Sequence, residues 1–402
     1  MTSTLNAAVS FVRDRIRLNA LLIVLCFAGV LVLESQSAAS YAAYLLAIVM
    51  LARLRQWVDV FAVPLSWLVV ALLGYLVLTG LWSEGSQPGD ALSMLSRATQ
   101  VLLFAVALAE CQIRGELQRW LGRTLAVAGV LAALAGLALF LMDNSENGRL
   151  VGLGQLDNNV VAALIFGVVL ILVAGEALRE PDGLWRRISA FGIVVMAAAV
   201  LLSDSRNGQI SAMLGVGILF IAHRAADRQR FAAAVLGMGV ILMAVLAALT
   251  ANEAARNLVL PRGDSFRPAI WLAALHAVAD GGLWFGRGIL TDDTLVTAVG
   301  EFPHPHNMYL SVLFQGGLVG VALFAALIAA VVRTLLDHYG HRDAKLALGI
   351  LGLALPAWLL DGHELIDKVG MTWFLFWLPV AISLGLAWMG RLDAKHLLGK
   401  AQ

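Results

Sequence analysis

Apolar segments long enough to approach or cross a bilayer follow one another along almost the whole chain. A helix needs about 20 apolar residues to span the hydrocarbon core of a membrane. Twelve segments of this kind are separated mostly by short polar connections. They lie at 16–33, 38–52, 60–82, 92–110, 120–142, 158–178, 188–203, 209–222, 231–249, 308–332, 346–361 and 370–390. The pattern predicts an all-α polytopic membrane protein with about 12 transmembrane helices, forming a single integral membrane domain over residues 1–402.

The composition excludes several other classes of protein. Hydrophobic residues make up 60% of the chain, charged residues only 14%, and the mean hydropathy is +0.84, which a soluble domain would not tolerate. The net charge is +1, and no nucleic-acid-binding motif appears, so membrane lipids rather than nucleic acids are the expected surroundings. Cys26 and Cys111 fall in different environments, and no disulfide is expected between them.

The distribution of basic residues predicts the orientation of the chain. Twenty of the 28 Lys and Arg residues fall on alternate connections and at the two termini. By the positive-inside rule, that side is cytoplasmic and both termini are cytoplasmic. Arg97, Arg206, Arg267 and Arg287 are among the few basic residues on the opposite side. Their placement against the bias favours a functional role.

Residues 250–307 form one long extracytoplasmic loop between the ninth and tenth predicted helices. Loops of this length are usually functional or disordered. Ile270, Ala274 and Val278 recur at helical spacing, which predicts a short helix at about 266–280, on or near the membrane surface. The shorter loops 83–91 and 143–157 lie on the same predicted side and could wall a site.

His306 is the leading candidate for a catalytic residue. It stands beside Asn307, a weaker candidate for the site, at the start of the tenth predicted helix, where the partial positive charge of a helix N-terminus disfavours a protonated imidazole. A neutral imidazole is what a general base requires. The alternative is a polar histidine that caps the helix or anchors it among lipid headgroups. His363, followed by Glu364 at the outer end of the eleventh segment, is a second candidate base.

His304 offers a competing interpretation of the same segment. With Glu301 or Asp292 it would supply part of a metal site. The loop contains too few further histidines to complete such a site, so we predict no metal and assign His304 to the loop.

Two arginines are candidate anion ligands. Arg206 lies in a tight turn, Ser203–Gly208, where it could form a bidentate bond to phosphate. Pairing with Asp204, or an interaction with lipid headgroups, explains its position equally well. Arg267 falls in the first turn of the predicted loop helix, where backbone N–H groups also favour an anion. The two arginines could share one diphosphate.

Three further features are weaker candidates or structural. Arg97 is a candidate ion-pair partner, and Arg287 lies in a flexible turn between two glycines. The spacing of Gly316 and Gly320 in the tenth segment favours close packing by another helix.

Three motifs together resemble the O-antigen ligase family of bacterial membrane glycosyltransferases. They are SRNG at 205–208, FRPAIWLAALHAVADGGLWFGRGI at 266–289 and HNMYLSVLFQGGLVG at 306–320. Their order and their relation to the long loop carry the resemblance, which is strongest over about 200–335.

The resemblance implies a GT-C-like membrane glycosyltransferase in the inner membrane of a Gram-negative bacterium. Such an enzyme would transfer O-antigen from undecaprenyl diphosphate to the lipid A core oligosaccharide at the periplasmic face. His306 matches the family's base, and Arg206 and Arg267 match arginines that engage the donor diphosphate. The resemblance also implies no cofactor, independence from metal ions and inversion at the anomeric carbon.

Other functions share parts of this pattern. O-antigen polymerases and protein O-oligosaccharyltransferases belong to the same superfamily, and the sequence does not display the acceptor that separates them. A lipid or sugar transporter is an alternative of a different class. Transporters often place charges near the membrane midplane, whereas the notable charges here collect at the outer ends of the segments.

Overall fold

The computed structural model describes residues 15–115, 120–142, 148–179, 183–251 and 266–400. Helices dominate this part of the chain. They are α1 (Arg15–Val32), α2 (Gln36–Leu51), α3 (Leu54–Trp57), α4 (Pro64–Thr79), α5 (Pro88–Ile113), α6 (Gly122–Leu141), α7 (Asn159–Arg179), α8 (Leu184–Leu202), α9 (Arg206–Arg224), α10 (Arg228–Ala251), α11 (Arg267–Ala279), α12 (Met308–Asp337), α13 (Arg342–Ala357) and α14 (Leu378–Lys400). Short 3₁₀ turns at Val58–Ala62 and Gly154–Leu156 and a π-helical turn at Trp373–Trp377 complete the helical part.

The predicted apolar segments coincide with helices in chain order, and the chain is an all-α polytopic membrane protein in its main architecture. Six of the described helices are long and apolar enough to cross a membrane unaided. The bent pair Gln36–Leu51 and Leu54–Ala62, with an angle of 82° between its halves, would make a seventh. The helices Ile16–Val32 and Pro64–Thr79 are apolar but shorter.

The long loop differs from the prediction in one respect. The short helix expected at about 266–280 is present as α11. In place of further short helices, the described part of the loop then forms an antiparallel hairpin of β1 (Leu295–Thr297) and β2 (Gly300–Phe302). Residues 252–265 of the predicted loop, and 143–147 of a shorter one, lie outside the described residues.

Small residues bring α9 against α7 and α13 in the interior of the bundle. A methyl group on Gly208 would lie 2.2 Å from Cβ of Ala163 in α7. Gly215 lies about two turns further along α9. A methyl group there would lie 2.8 Å from the carbonyl oxygen of Gly349 in α13. Helices approach this closely in membranes where a side chain is missing. The packing fixes the outer ends of α9 and α13 beside each other.

An aromatic cluster fills the space between α1, α5 and the start of α14. The rings of Phe27 and Phe374 lie with their centroids 4.2 Å apart, and those of Phe104 and Trp373 lie 4.7 Å apart. All four side chains are at most 2% exposed. Edge-to-face and tilted pairs of this kind add to the stability from burial alone.

Helix α12 is broken at Gly317, where φ is 61° and ψ is −162°. The loop segment 283–288 fills the break. The N–H groups of Arg287 and Gly288 donate to the carbonyls of Phe314 and Gln315, at 2.7 and 3.1 Å. In return the backbone of α12 beyond the break, Leu318 and Val319, donates to loop carbonyls at 2.8 and 3.1 Å. Non-helical backbone inside a membrane protein needs such partners, because lipid provides none.

The glycines of α12 therefore serve two purposes. Gly316 and Gly320 face the ring of Tyr75 in α4, as the predicted helix packing requires. The sequence analysis did not foresee the role of Gly317. A methyl group there would lie 2.5 Å from the carbonyl of Trp284, so its neighbour is an inserted loop instead of a helix.

Candidate active site

The three predicted site residues all lie at helix entrances with unusual backbone. Arg206 is the first residue of α9, Arg267 is the first residue of α11, and His306 precedes α12 by two positions. Asp204, Phe266 and His306 have φ values of 51°, 61° and 48°, and they are the non-glycine residues with positive φ within the described part of the chain. Such residues are uncommon and concentrate at functional sites.

Side-chain caps fix two of these helix entrances. The hydroxyl of Ser205 accepts a hydrogen bond from the N–H of Gly208 at 3.2 Å. The side-chain oxygen of Asn307 accepts from the N–H groups of Tyr309 and Leu310, at 3.0 and 3.1 Å. Asn307 was a weaker candidate for the site, and its geometry is that of an N-cap.

All three motifs attach to one short segment, residues 357–361, which we call the 357–361 turn. It follows α13, and the last carbonyl groups of a helix have no partner within the helix. The side-chain amide of Asn207 donates to the carbonyl of Ala357, and that of Asn307 donates to the carbonyl of Leu359, each at 3.1 Å. The SRNG and HN motifs are thereby bound two residues apart on the same turn.

The arginine of the loop helix binds the next carbonyl along the turn. Both Nε and Nη2 of Arg267 donate to the oxygen of Leu360, at 3.3 and 3.1 Å. The guanidinium group is half-buried. Since an arginine has five N–H donors, this arrangement holds Arg267 in place and leaves donors for a further acceptor.

His306 faces the last residue of the turn. Its Nδ1 atom lies 3.6 Å from Oδ1 of Asp361, and the two side chains are 35% and 20% exposed. The N–H of Gly362 donates to the same carboxylate at 2.8 Å. Burial acts to raise the pKa of Asp361, but the His306 ring and the Gly362 N–H outweigh it and hold that pKa below its ordinary value. Asp361 is therefore an anion beside the candidate base.

Asp361 was missed by the sequence analysis. The stretch Asp361-Gly-His-Glu364 was noticed for its histidine, but nothing local indicates that the aspartate rather than the glutamate faces His306. One sequence signal could have identified it. Asp361 ends the apolar segment 346–361, and His306 comes just before the preceding segment, 308–332, so the two residues fall at the same end of neighbouring helices.

His304 lies in the loop before α12, as predicted, and its ring also contacts the other two histidines of the candidate site. Its ring stacks on that of His363 with centroids 4.2 Å apart and an interplanar angle of 11°, and lies 4.0 Å from the ring of His306. The backbone N–H of His306 donates to Nδ1 of His304 at 3.2 Å. Burial, with further contributions from the neighbouring His363 and His306, lowers the pKa of His304 to about 3. His304 therefore remains neutral near pH 7.

Two comparisons with known proteins show what the chain is similar to. The family model described as O-antigen ligase matches residues 191–325. An O-antigen ligase of Pseudomonas aeruginosa is 26% identical over 326 residues, covering 80% of this chain and 78% of that protein. The chain is similar to O-antigen ligases in this region and to this relative over most of its length.

The region matched by the O-antigen ligase model contains Arg206, Arg267 and His306 but ends before the 357–361 turn. The three motifs and the turn that binds them therefore come from separate parts of the chain. Their association depends on the packing of α9, α12 and α13.

The other weaker candidates are held by carboxylates. Arg97 lies 3.8 Å from Asp367. Arg287 donates from Nη2 to Glu84 at 3.1 Å, and its guanidinium lies 5.8 Å from the ring centre of Phe314. Both arrangements tie together segments at the end of the helix bundle that carries the 357–361 turn. His363, the second candidate base, is stacked on His304, and its Nε2 lies 3.9 Å from a carboxylate oxygen of Glu364.

The described residues contain no group of three or more His, Cys, Asp or Glu side chains arranged to hold a metal ion. The stacked rings of His304 and His363 face each other, so their nitrogen atoms do not converge on a common point as metal ligands would.

Proposed function

We propose that this protein is an O-antigen ligase that transfers a glycan from undecaprenyl diphosphate to a sugar of the lipid A core. The observation that carries the proposal is the attachment of SRNG, the loop helix and the HN motif to the single 357–361 turn. This turn of five residues contacts the candidate base His306 and binds the candidate anion ligand Arg267. It also binds Asn207, the residue that follows Arg206. The curated relative, called an O-antigen ligase, supports the same assignment.

Arg206 and Arg267 would bind the donor diphosphate. Each is the first residue of its helix, where free backbone N–H groups and the helix dipole favour an anion. Arg267 itself and Asn207, the neighbour of Arg206, are bound to the 357–361 turn, so the two helix N-termini approach one region. Two guanidinium groups would also stabilise the charge that develops on the diphosphate as it leaves.

His306 would act as the general base. With its Nδ1–H directed towards Asp361, Nε2 keeps a lone pair that can accept the proton of an acceptor hydroxyl. The hydroxyl oxygen then forms a bond to the anomeric carbon of the donor sugar. The bond from that carbon to the diphosphate oxygen breaks, and undecaprenyl diphosphate leaves with the electron pair. Direct displacement inverts the anomeric configuration, and Asp361 stabilises the imidazolium.

The same proposal includes the placement of the chain in the membrane. Twelve spans, cytoplasmic termini and a periplasmic loop at 250–307 would put His306, Arg206 and Arg267 on the periplasmic face of a Gram-negative inner membrane. The bias of the basic residues supports this orientation. A single membrane domain with a GT-C-like arrangement, working without a metal ion or cofactor, completes the proposal.

Reconstitution tests the choice of acceptor. The purified protein in proteoliposomes is given undecaprenyl-diphosphate-linked O-antigen, with rough lipopolysaccharide and an acceptor protein in separate reactions. The ligase proposal expects glycan on rough lipopolysaccharide only. Glycosylated protein, extension of the lipid-linked glycan itself, or sugar flux without a covalent product would each assign a different function.

His306→Ala tests the base within this assay. Transfer at the wild-type rate would remove His306 from the mechanism. Activity that disappears with a chelator and returns with a divalent ion would contradict metal independence. Retention of the anomeric configuration in the product would contradict direct displacement.

A further inference from the structure

A cavity adjoins the site beyond the stacked rings of His304 and His363. It has a volume of about 340 Å³, which falls in the range of small-molecule sites. Three parts of the chain build it: the α1–α2 connection, the segment before α7 and the loop after the 357–361 turn. Its lining includes Glu34, Gln155, Asp157, His363, Glu364 and Asp367. His363 stacks on His304, which in turn contacts His306, so the cavity is two rings away from the proposed base.

Gln155 is the most informative residue of the lining. Its side chain is only 9% exposed, and within the described part of the chain its Nε2 atom has no hydrogen-bond partner. A buried amide nitrogen without an acceptor is costly. A ligand that carries hydroxyl or ring oxygens could supply that acceptor from within the cavity.

The charged groups of the cavity are carboxyl groups. Glu34 and Asp157 are exposed at its wall, and Asp367 is paired with Arg97 from α5 at 3.8 Å. Burial and the neighbouring Asp367 raise the pKa of Glu364 to about 8, so this carboxyl carries a proton at neutral pH, and that proton is directed to Asp367. Lys368, which follows Asp367, is not part of the lining and is bound to the hydroxyl of Ser37 at 3.0 Å. The lining thus offers carboxyl, amide and hydroxyl groups without a lysine or arginine.

The acidic lining of this cavity is opposite in charge to the region beside Arg206 and Arg267. A phosphate group would be repelled by Glu34 and Asp157, whereas an uncharged sugar finds donors and acceptors for its hydroxyl groups. The lining therefore separates the two substrates by charge: the diphosphate belongs beside Arg206 and Arg267, and an uncharged glycan belongs here.

We propose that this cavity is the acceptor subsite and binds an unphosphorylated hexose of the acceptor glycan, next to the residue whose hydroxyl reaches His306. The inference rests on the proposed function, because it assumes that the protein accepts a glycan. It adds the residues that hold that glycan, and it requires the bound sugar to be uncharged.

Binding without turnover tests the subsite separately from catalysis. The full-length protein in nanodiscs, with no lipid-linked donor present, is titrated with dephosphorylated core oligosaccharide released from rough lipopolysaccharide. Saturation-transfer NMR gives the dissociation constant. Gln155→Leu and Asp157→Asn are expected to weaken binding by roughly tenfold each. Asp280→Asn, which removes an exposed carboxylate outside the cavity, is the matched control and is expected to bind as the wild type does.

A charge reversal sharpens the test. Asp157→Lys is expected to weaken binding of the dephosphorylated oligosaccharide and to strengthen binding of the phosphorylated one. Melting temperatures identify any variant that fails to fold, and Asp157, being exposed, should tolerate substitution. If folded Gln155 and Asp157 variants bind the dephosphorylated oligosaccharide as tightly as the wild type, the subsite is wrong. That result would leave the ligase assay unaffected, whereas absence of transfer to rough lipopolysaccharide by the wild type would overturn the proposed function itself.

Discussion

Nδ1 of His306 lies 3.6 Å from Oδ1 of Asp361, and this pair joins the start of α12 to the end of the 357–361 turn. The preceding residue of the turn, Leu360, accepts two hydrogen bonds from Arg267. The candidate base and a candidate anion ligand are therefore fixed to adjacent residues. A displacement of the turn would move both groups, which couples the geometry of proton transfer to that of diphosphate binding.

Asp361→Asn tests the contribution of the carboxylate to catalysis. The amide keeps the size of the side chain but removes the negative charge that orients His306 and stabilises its protonated form. We expect kcat to fall on the order of 10²-fold, with little change in the KM of either substrate. Steady-state kinetics in proteoliposomes measure both quantities.

Asp361→Glu is the companion variant, since it retains the charge at a slightly different distance. Partial recovery of kcat by glutamate, at an unchanged melting temperature, would assign the effect to charge. Equal kcat values for Asp361→Asn and the wild type would show that the carboxylate has no part in the reaction.

The local parts of this architecture were predictable from the sequence, because hydropathy and capping act over a few residues. The loop helix was expected at about 266–280 and occurs at Arg267–Ala279. The long-range parts were not predictable. Asp361 meets His306 only after α12 and α13 have packed, and the stacking of His304 on His363 joins residues 59 positions apart in the chain. Hydropathy also gave no sign that a loop enters α12 at Gly317.

Arg267→Lys tests the need for a guanidinium group. Lysine retains the positive charge but cannot make the forked contact with a diphosphate or bind Leu360 through two nitrogens. We expect kcat/KM for the lipid-linked donor to fall on the order of 10²-fold, with the affinity for the acceptor oligosaccharide unchanged. The same substitution at Arg206 should give the same pattern. A loss confined to acceptor binding would contradict the assignment of these arginines to the donor.

Gly286→Ala tests the insertion of the loop into α12. Gly286 has a φ of 76°, and a methyl group there would lie 2.2 Å from the carbonyl oxygen of Gln315, which is rigid backbone. We expect a destabilisation of about 2–4 kcal/mol, seen as a lower melting temperature in detergent. Gly74→Ala is the control, because it lies in α4 with open space around the new methyl group. It should be neutral or slightly stabilising. Equal melting temperatures for the two variants would mean that the insertion does not contribute to stability.

Glu364→Gln tests the protonation state of the partly buried carboxyl beside His363. Burial and Asp367 raise the pKa of Glu364 from 4.5 to about 8, so the folded protein holds this proton more tightly than the unfolded chain does. The resulting stability is present in full below pH 4.5, and it is lost as the pH rises towards and through 8. Glutamine imitates the protonated form at every pH. We therefore expect the melting temperature of the wild type to fall further than that of Glu364→Gln when the pH is raised from 5 to 9.

Glu301→Gln is the control for the change in net charge, because it removes an exposed carboxylate of β2. Its melting temperature should follow that of the wild type. Identical losses for the wild type and Glu364→Gln would show that Glu364 is ionised in the folded protein at neutral pH.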